Sequence, residues 1–297
     1  MKLLREKYIM LIDITNHCNQ KPSCLYCSRL IRHVPKEKKY NMSLEFFEKN
    51  LEILKTWPGQ IGIIGGEPSL HIDLEEMLMM IRKIYAGNHK QKFAFLTSGS
   101  PRYEKHKELI NDTFRWVAYN PHDDEQKKVC LHQRQTVASQ DVVPDEEYRN
   151  RLINDCWVDR TWGPGINPKG GYFCEIAAAI DYLLDGPGGV PIEPNWWDRP
   201  LEDFKYQVDF CCNKCGMAVP MERDLIGNKK EKFSKSNLKL FRDLDLKNME
   251  DEWVDELDVE YTNEELEANK QGWCPGNYRS DLSPGELEIY KGSTWKL

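Results

Sequence analysis

The amino-acid sequence predicts an α/β fold built on a parallel sheet with helical crossovers. Two observations lead to this prediction. Short apolar runs at 8–15, 61–64, 93–96 and 114–119 have the character of buried strands, and helical patterns separate them. Repeated alternation of strand and helix is typical of a parallel sheet, and ligands of such sheets gather at the carboxyl ends of the strands.

The first two crossovers carry clear helix signals. Ser43 is a candidate N-cap of a helix that ends before Pro58. Asp73 and Glu76 occupy capping-box positions at the start of the next helix, which ends at Gly87. Apolar residues recur at helical spacing in both segments, so each helix has one face to bury.

The later elements follow in the same manner. A helix is expected near 103–110, and Gln135–Ala138 is a weaker candidate strand before a helix near 146–153. A β-hairpin is expected over 166–174, with its turn at Pro168–Gly171, and a helix follows over Glu175–Leu184.

The composition changes beyond residue 150, and this change predicts three regions. We expect a core over 1–150, a cysteine-rich β-hairpin and helix extension over 151–230, and an acidic C-terminal tail over 231–297 that packs on the core. The stretch 243–267 is strongly acidic and only weakly patterned, so it is interpreted as a solvated segment.

The composition is that of a globular protein with no general attraction to nucleic acid or acidic membranes. The 297 residues include 40% hydrophobic residues and carry a net charge of −7. The first apolar run ends at Asp13, far short of the roughly 20 residues that a membrane span needs. We therefore expect a cytoplasmic protein, in which the ten cysteines are more typical of metal ligands than of disulfides.

Three of these cysteines follow the first predicted strand. Cys18, Cys24 and Cys27 have the spacing C-x5-C-x2-C. Thiolates select zinc, copper(I) or iron–sulfur centres. A structural zinc site has four ligands, whereas an iron–sulfur cube held by three thiolates leaves one iron free to bind something else.

The order of motifs resembles the radical S-adenosylmethionine (SAM) superfamily over roughly residues 7–145. Thr15-Asn16-His17-Cys18 follows the first strand, Gly-Gly-Glu-Pro at 65–68 follows the second, and Thr-Ser-Gly at 97–99 follows the third. The chain departs from the superfamily's commonest C-x3-C-x2-C spacing by two extra residues between the first two cysteines. The resemblance implies a partial (β/α)6 TIM-like barrel and an enzyme with radical chemistry of the oxidoreductase or isomerase type.

The resemblance also implies a cofactor site. The three clustered cysteines would hold a [4Fe-4S] cluster whose fourth iron takes the amino and carboxylate groups of SAM. Glu67, with the backbone of Gly65 and Gly66, would meet the SAM amino group. Ser98 and Gly99 would lie near the ribose, and Tyr26 near the adenine. Asn120 and Gln135, near the ends of later strands, are candidate contacts of SAM or of the substrate.

A second group of cysteines resembles the opening of the SPASM and twitch accessory domains. Cys156, Gly170 and Cys174 have the spacing C-x13-G-x3-C, and Cys212-x2-Cys215 supplies a metal knuckle. The resemblance implies one auxiliary [4Fe-4S] cluster on the cysteines at positions 156, 174, 212 and 215, in a twitch-like single site.

Several assignments stay open at the level of sequence. Cys211 or Cys274 could replace one of the four auxiliary ligands, a structural zinc could occupy the site, and Cys130 is interpreted as a small buried hydrophobe. His17 and His71 lie beside the motifs and could either act there or pack locally. Trp196 and Trp197 could line a substrate site or form a satellite core.

The function expected from the sequence is hydrogen abstraction from a small organic substrate by a 5′-deoxyadenosyl radical. A sugar, an aminocyclitol or a nucleotide derivative is favoured because no peptide-binding domain precedes residue 8. The auxiliary cluster would accept an electron or tune the reaction, and a flavodoxin- or ferredoxin-type protein would supply the reductant. Alternatives are a maturase of a peptide or a nucleic-acid base, and a non-enzymatic zinc module that acts as a scaffold or binds nucleic acid.

Overall fold

A seven-stranded, mostly parallel sheet organises the chain. The computed structural model describes residues 1–19, 24–119, 133–161, 163–222, 224, 228–273 and 294–296. The strands of this sheet are β1 (Ile9–Asp13), β2 (Gln60–Ile64), β3 (Phe93–Thr97), β4 (Trp116–Tyr119), β5 (Gly165–Asn167), β6 (Gly170–Tyr172) and β9 (Thr294–Lys296). Two further strands, β7 (Glu231–Phe233) and β8 (Val254–Glu256), form a separate pair. Their order in the large sheet is β6-β5-β1-β2-β3-β4-β9. The predicted α/β fold with a mostly parallel sheet is thereby confirmed.

The register explains which strand ends meet. β1 pairs in parallel with β2, β2 with β3, and β3 with β4, so the carboxyl ends of four consecutive strands lie at one edge. β5 adds to the other side of β1, also in parallel, while β6 and β9 are antiparallel edge strands. The hairpin that the sequence placed in an extension is therefore part of the large sheet. The partial barrel and the three-region division stay predictions.

Helices cover the sheet and follow it along the chain. Their bounds are α1 (Leu44–Ile53), α2 (Leu74–Ile84), α3 (His89–Lys92), α4 (Pro101–Thr113), α5 (Ser139–Val142), α6 (Glu146–Asn154), α7 (Trp157–Thr161), α8 (Glu175–Leu183), α9 (Lys205–Cys211), α10 (Lys235–Asp243) and α11 (Asn263–Trp273). Ser43 caps α1 by accepting a hydrogen bond from the Phe46 N–H, as predicted. The capping box at α2 was wrong: the Asp73 side chain caps nothing, and its N–H donates to His71 Nδ1 instead.

Alternate residues of the strands face two apolar clusters. Met10 and Ile12 of β1 pack into the main core with the apolar faces of α1, α2 and α4. Ile9 and Leu11 face the other side of the sheet, where they form a smaller apolar cluster with Ala94. This alternation is the expected consequence of the two-residue repeat of a strand. Among the described residues, none of the helices is long and apolar enough to cross a membrane.

Two segments differ from their sequence interpretation. Gln135–Ala138 forms a turn that leads into α5, so the candidate strand was wrong. The acidic C-terminal region contains β7, α10, β8 and α11. Phe233 and Phe241 are buried there, at 0% and 2% exposure. The segment has few apolar residues and many charged ones, so its sequence pattern did not predict that it folds and packs against the cysteine loop.

Candidate functional site

The cysteine loop begins as a continuation of the β1–β2 pairing. Beyond the strands, the Ile14 N–H donates to the Ile64 carbonyl at 2.9 Å. The Gly66 N–H then donates to the Thr15 carbonyl and the Glu67 N–H to the His17 carbonyl, both at 2.7 Å. The backbone just before Cys18 and the Gly-Gly-Glu motif are therefore fixed against each other.

This pairing gives a structural reason for the two glycines. A Cβ atom at Gly65 would lie 2.4 Å from the Thr15 carbonyl oxygen, and one at Gly66 would lie 2.3 Å from the His17 carbonyl oxygen. Real Cβ atoms do not approach backbone oxygens so closely. The absence of side chains at the two glycines thus allows the cysteine loop to approach this segment. From the sequence, their backbone was instead expected to meet a ligand.

Glu67 joins the second strand end to the third. Its carboxylate is fully buried, and Oε1 accepts hydrogen bonds from the Thr97 hydroxyl at 2.7 Å and from both the N–H and the hydroxyl of Ser69. Oε2 accepts from the N–H and the hydroxyl of Ser98, both at 2.9 Å. Five donors therefore converge on one carboxylate, which holds the Thr-Ser-Gly turn beside the cysteine loop.

Gly99 completes this turn in a conformation that favours glycine. Its φ is +85°, and its N–H donates to the Thr97 hydroxyl at 2.9 Å. A Cβ atom at this position would also lie 2.7 Å from the ring of Tyr119 on β4. The contacts predicted between SAM and the residues at 65–67, 98 and 99 stay predictions, but these residues do meet at one edge of the sheet.

Replacing Glu67 with alanine is expected to lower the free energy of unfolding by about 3 kcal/mol, because the buried donors lose their charged acceptor. Glu67→Gln keeps one oxygen acceptor and is expected to lose less. Urea unfolding at pH 7 measures both changes. Glu76→Ala, an exposed glutamate on α2, serves as the control. A Glu67→Ala protein as stable as this control would contradict the network described above.

The three thiols of the loop lie near one another, and two of them are hydrogen-bonded to each other. The Cys24 thiol donates a hydrogen bond to the Cys27 sulfur, which lowers the pKa of Cys27 to about 7. The backbone N–H groups of Arg29 and Ile31 and the Arg29 guanidinium act in the same direction. The same hydrogen bond, together with burial, raises the pKa of Cys24 well above its usual value. The environment thus favours a thiolate at Cys27, which is the form that binds metals.

Tyr26, between the last two cysteines, faces the C-terminal region. Its ring is fully buried, and its φ of +55° is unusual for a residue with a side chain. Its N–H donates to Glu231 and its hydroxyl donates to Asp224, while the Lys232 N–H donates to the same hydroxyl at 2.9 Å. Contact of Tyr26 with an adenine stays a prediction. The roles of Glu231 and Asp224 had no signal in the sequence, because they lie about 200 positions from Tyr26.

A buried ion-pair array lies between the two cysteine groups. Arg29 pairs with Asp13 at the end of β1 and with Glu175 at the start of α8, directly after Cys174. Burial raises the pKa of Asp13 to about 6, although the Arg29 charge opposes this shift. One Asp13 oxygen has no hydrogen-bond partner among the described residues. Arg29 therefore ties the first cysteine loop to the segment that carries the second cysteine group.

The second cysteine group converges on one cavity. Five thiols line a small, otherwise largely apolar cavity of about 30 Å³, which also contacts Asp159 and the Met1 side chain; these thiols belong to Cys156, Cys174, Cys211, Cys212 and Cys215. Burial raises the pKa of Cys156 to about 11 and that of Cys174 to about 12. Cys211 donates its S–H to the Ala177 carbonyl at 3.5 Å. The structure therefore brings together the four predicted auxiliary ligands and the competing Cys211.

The remaining candidates divide into those that pack and those that keep unpaired groups. His71 is buried and bonds the Met42 carbonyl and the Asp73 N–H, so it packs locally. Gln135 is also buried, and neither atom of its side-chain amide has a partner within the described part of the chain. His17 is partly buried, which lowers its pKa.

Trp196 and Trp197 belong to the core, at 1% and 2% exposure. Trp197 packs edge to face against Trp57. The pair is therefore part of the main core, and neither the open wall nor the satellite core expected from the sequence is found. Three predicted positions, Asn120, Cys130 and Cys274, lie outside the described residues.

In the described residues, no three His, Cys, Asp or Glu side chains are arranged around a ready-made site for a single metal ion. We therefore describe the first cysteine group by the loop that carries it and the second by the cavity that it lines.

Comparison with known protein families gives a match, which covers the part of the chain that contains the three-cysteine loop. Residues 12–137 match the radical SAM superfamily, a range that includes the three-cysteine loop, Gly65–Glu67 and Thr97–Gly99. No curated protein matches the chain. The motifs brought together at the strand ends are thus part of a radical SAM superfamily domain at residues 12–137.

Proposed function

We propose that the chain is a radical SAM enzyme that abstracts hydrogen from a small organic molecule. The radical SAM domain implies an enzyme with radical chemistry. The observation that carries the proposal is the joining of three strand ends by backbone pairing and by the buried carboxylate of Glu67. Such a junction is where ligands of a parallel sheet bind.

The donor set of the first site fits a cluster with one open iron. Cys18, Cys24 and Cys27 would hold a [4Fe-4S] cluster, and the hydrogen-bonded environment of Cys27 favours the thiolate that ligation requires. When bound, SAM and the first cluster would supply the reductive cleavage that yields a 5′-deoxyadenosyl radical. The auxiliary cluster would supply a nearby electron acceptor. The protein orients the reacting groups and keeps water away from them.

The Gly65–Glu67 segment and Ser98 would form the wall that meets SAM. Glu67 already accepts five hydrogen bonds, so an ammonium group that approaches its carboxylate would displace one of these donors. Ser98 presents its hydroxyl on the same carboxylate, beside the turn at Gly99. Glu67 therefore has a second task in this proposal, since it also shapes the loop that would lie near the ribose.

The second cysteine group would hold an auxiliary [4Fe-4S] cluster. Cys156, Cys174, Cys212 and Cys215 line one cavity with walls that are otherwise largely apolar, which is the donor chemistry such a cluster takes. Arg29 and Glu175 provide a packed connection between this site and the first.

The substrate would lie over the carboxyl ends of the strands, above the inner face of the sheet. That face is apolar, with Ile64, Leu96 and Trp116 packed beside Leu11. Asp13 ends β1 on the same side as Leu11, where it is buried and pairs with Arg29. An apolar floor with a buried ion pair at its edge suits a small, partly polar molecule. A flavodoxin- or ferredoxin-type protein is the proposed source of electrons.

The iron content of the protein and its reaction with SAM test this proposal together. Anaerobically purified protein is expected to be brown, to contain about eight irons per chain, and to release 5′-deoxyadenosine when SAM and a strong reductant are added. Mass spectrometry of the nucleoside and a colorimetric iron assay provide the two readouts. Colourless protein that contains zinc and leaves SAM intact would overturn the proposal in favour of a zinc module.

A further inference from the structure

The three-cysteine loop is held by two acidic side chains, one at the start of the acidic C-terminal region and one seven residues before it. Glu231, at the start of β7, accepts the N–H of Tyr26, and Asp224 accepts the Tyr26 hydroxyl. Arg134 in turn donates to both oxygens of Asp224, at 2.9 and 3.1 Å. These contacts fix both the backbone and the side chain of the residue that lies between Cys24 and Cys27.

Glu231 is itself fixed from several directions. Its side chain is 1% exposed, and its second oxygen pairs with His33 Nε2. The other ring nitrogen of His33 lies 2.9 Å from the Lys247 carbonyl oxygen, and the rings of Phe233 and Phe241 meet the His33 ring at 5.3 and 5.5 Å between centroids. The carboxylate therefore has one position available to it.

The conformation of Tyr26 gives these contacts a consequence. A left-handed φ at a residue with a side chain is strained, and it persists only where its surroundings enforce it. Here the enforcing group is the Glu231 carboxylate on the Tyr26 N–H. The backbone angles at this residue set the direction in which the chain continues to Cys27.

We infer that Glu231 is a positioning residue for the iron–sulfur site, which acts through the Tyr26 backbone to set the relative orientation of the Cys24 and Cys27 thiols. The inference rests on the proposed function, because it takes the loop to be the cluster site. This role for Glu231 was not expected from the sequence, which predicted that the C-terminal region is a tail. Groups that orient metal ligands from outside typically contribute about 10- to 100-fold in metal affinity or activity.

The test compares Glu231→Ala and Glu231→Gln in the anaerobically purified, full-length protein. Alanine removes the acceptor from the Tyr26 N–H, whereas glutamine keeps an oxygen in nearly the same place. Asp255→Asn on the neighbouring strand β8 is the control, since Asp255 pairs with Lys230 at the surface. The readouts are the SAM concentration that half-saturates the change in the reduced protein's electron paramagnetic resonance spectrum, the iron content and the thermal unfolding midpoint.

Glu231→Ala is expected to raise the half-saturating SAM concentration by about 10- to 100-fold and to alter the spectrum of the SAM-bound form. Glu231→Gln is expected to recover most of this loss, and Asp255→Asn to match the wild type. An unchanged spectrum and SAM response in both Glu231 variants would overturn the inference. So would a loss of iron from both cysteine groups together with a lowered unfolding midpoint in both variants, because that pattern indicates a general structural role. Wild-type protein that binds no iron would refute the proposed function instead.

Discussion

Replacing Cys18, Cys24 and Cys27 together with alanine is expected to abolish SAM cleavage while about four irons per chain stay bound. The loop carries the three thiols proposed for the first site, and the other five described cysteines line the second cavity. The remaining irons would belong to the second cysteine group, whose cavity is built, apart from Met1, from residues beyond position 150. Iron assay and release of 5′-deoxyadenosine measure the two parts of this prediction separately.

Ser28→Ala provides the matched control for the triple replacement. Ser28 follows Cys27 directly and is partly buried, so this variant perturbs the same loop without removing a thiol. It is expected to keep both its iron and its SAM cleavage. Loss of all iron from the triple variant would show that the cysteines are partitioned between the sites in a different way. Retained cleavage would exclude the loop as the SAM site.

The meeting of the three motifs at one edge of the sheet could be predicted from sequence because each motif is local. Each motif follows a strand that an apolar run identifies, and parallel pairing brings the ends of adjacent strands to one edge. Strand positions therefore predicted that the cysteine loop, Gly65–Glu67 and Thr97–Gly99 would meet. The same reasoning could not show that Glu67 is saturated by donors, because that depends on rotamers and on distances between side chains.

Long-range contacts account for most of what the sequence did not predict. Glu231 and Asp224 contact Tyr26 across about 200 positions, and neither belongs to a recognisable motif. The β7 strand is only three residues long, and α10 carries few apolar residues. A strand of three residues is too short to show periodicity. Their stability comes from burial against the cysteine loop, which a local pattern does not encode.

The hairpin at β5 and β6 shows a related limit. A hairpin was predicted over 166–174 with its turn at Pro168–Gly171, and the structure contains a hairpin whose second strand already begins at Gly170, so its turn is shorter than predicted. Its partner was not predictable, because a three-residue strand can pair with any open edge. β5 pairs with β1, so the segment leading to Cys174 lies beside the first strand of the sheet. This placement brings Glu175 to Arg29 and connects the two cysteine groups.

Replacing Cys212 and Cys215 with alanine is expected to remove about four irons from the second site while SAM cleavage continues. Both thiols line the cavity that also collects Cys156 and Cys174, and two lost ligands leave too few to hold a cluster. Cleavage continues because the loop thiols and the Glu67 junction lie in a separate part of the chain. Cleavage is expected to become uncoupled, so that 5′-deoxyadenosine forms without conversion of substrate.

Single replacements decide whether Cys211 belongs to the site. Cys211 lines the same cavity, but its S–H is engaged by the Ala177 carbonyl and its side chain is 1% exposed. If that hydrogen bond holds the thiol away from the cluster, Cys212→Ala loses about as much iron as the double variant, and Cys211→Ala loses none. If Cys212→Ala keeps all of its iron and a variant that lacks both Cys211 and Cys212 loses iron, Cys211 replaces Cys212 as a ligand. Because the two cysteines are neighbours at the end of α9, this result would mean that the helix end can rotate to present either sulfur.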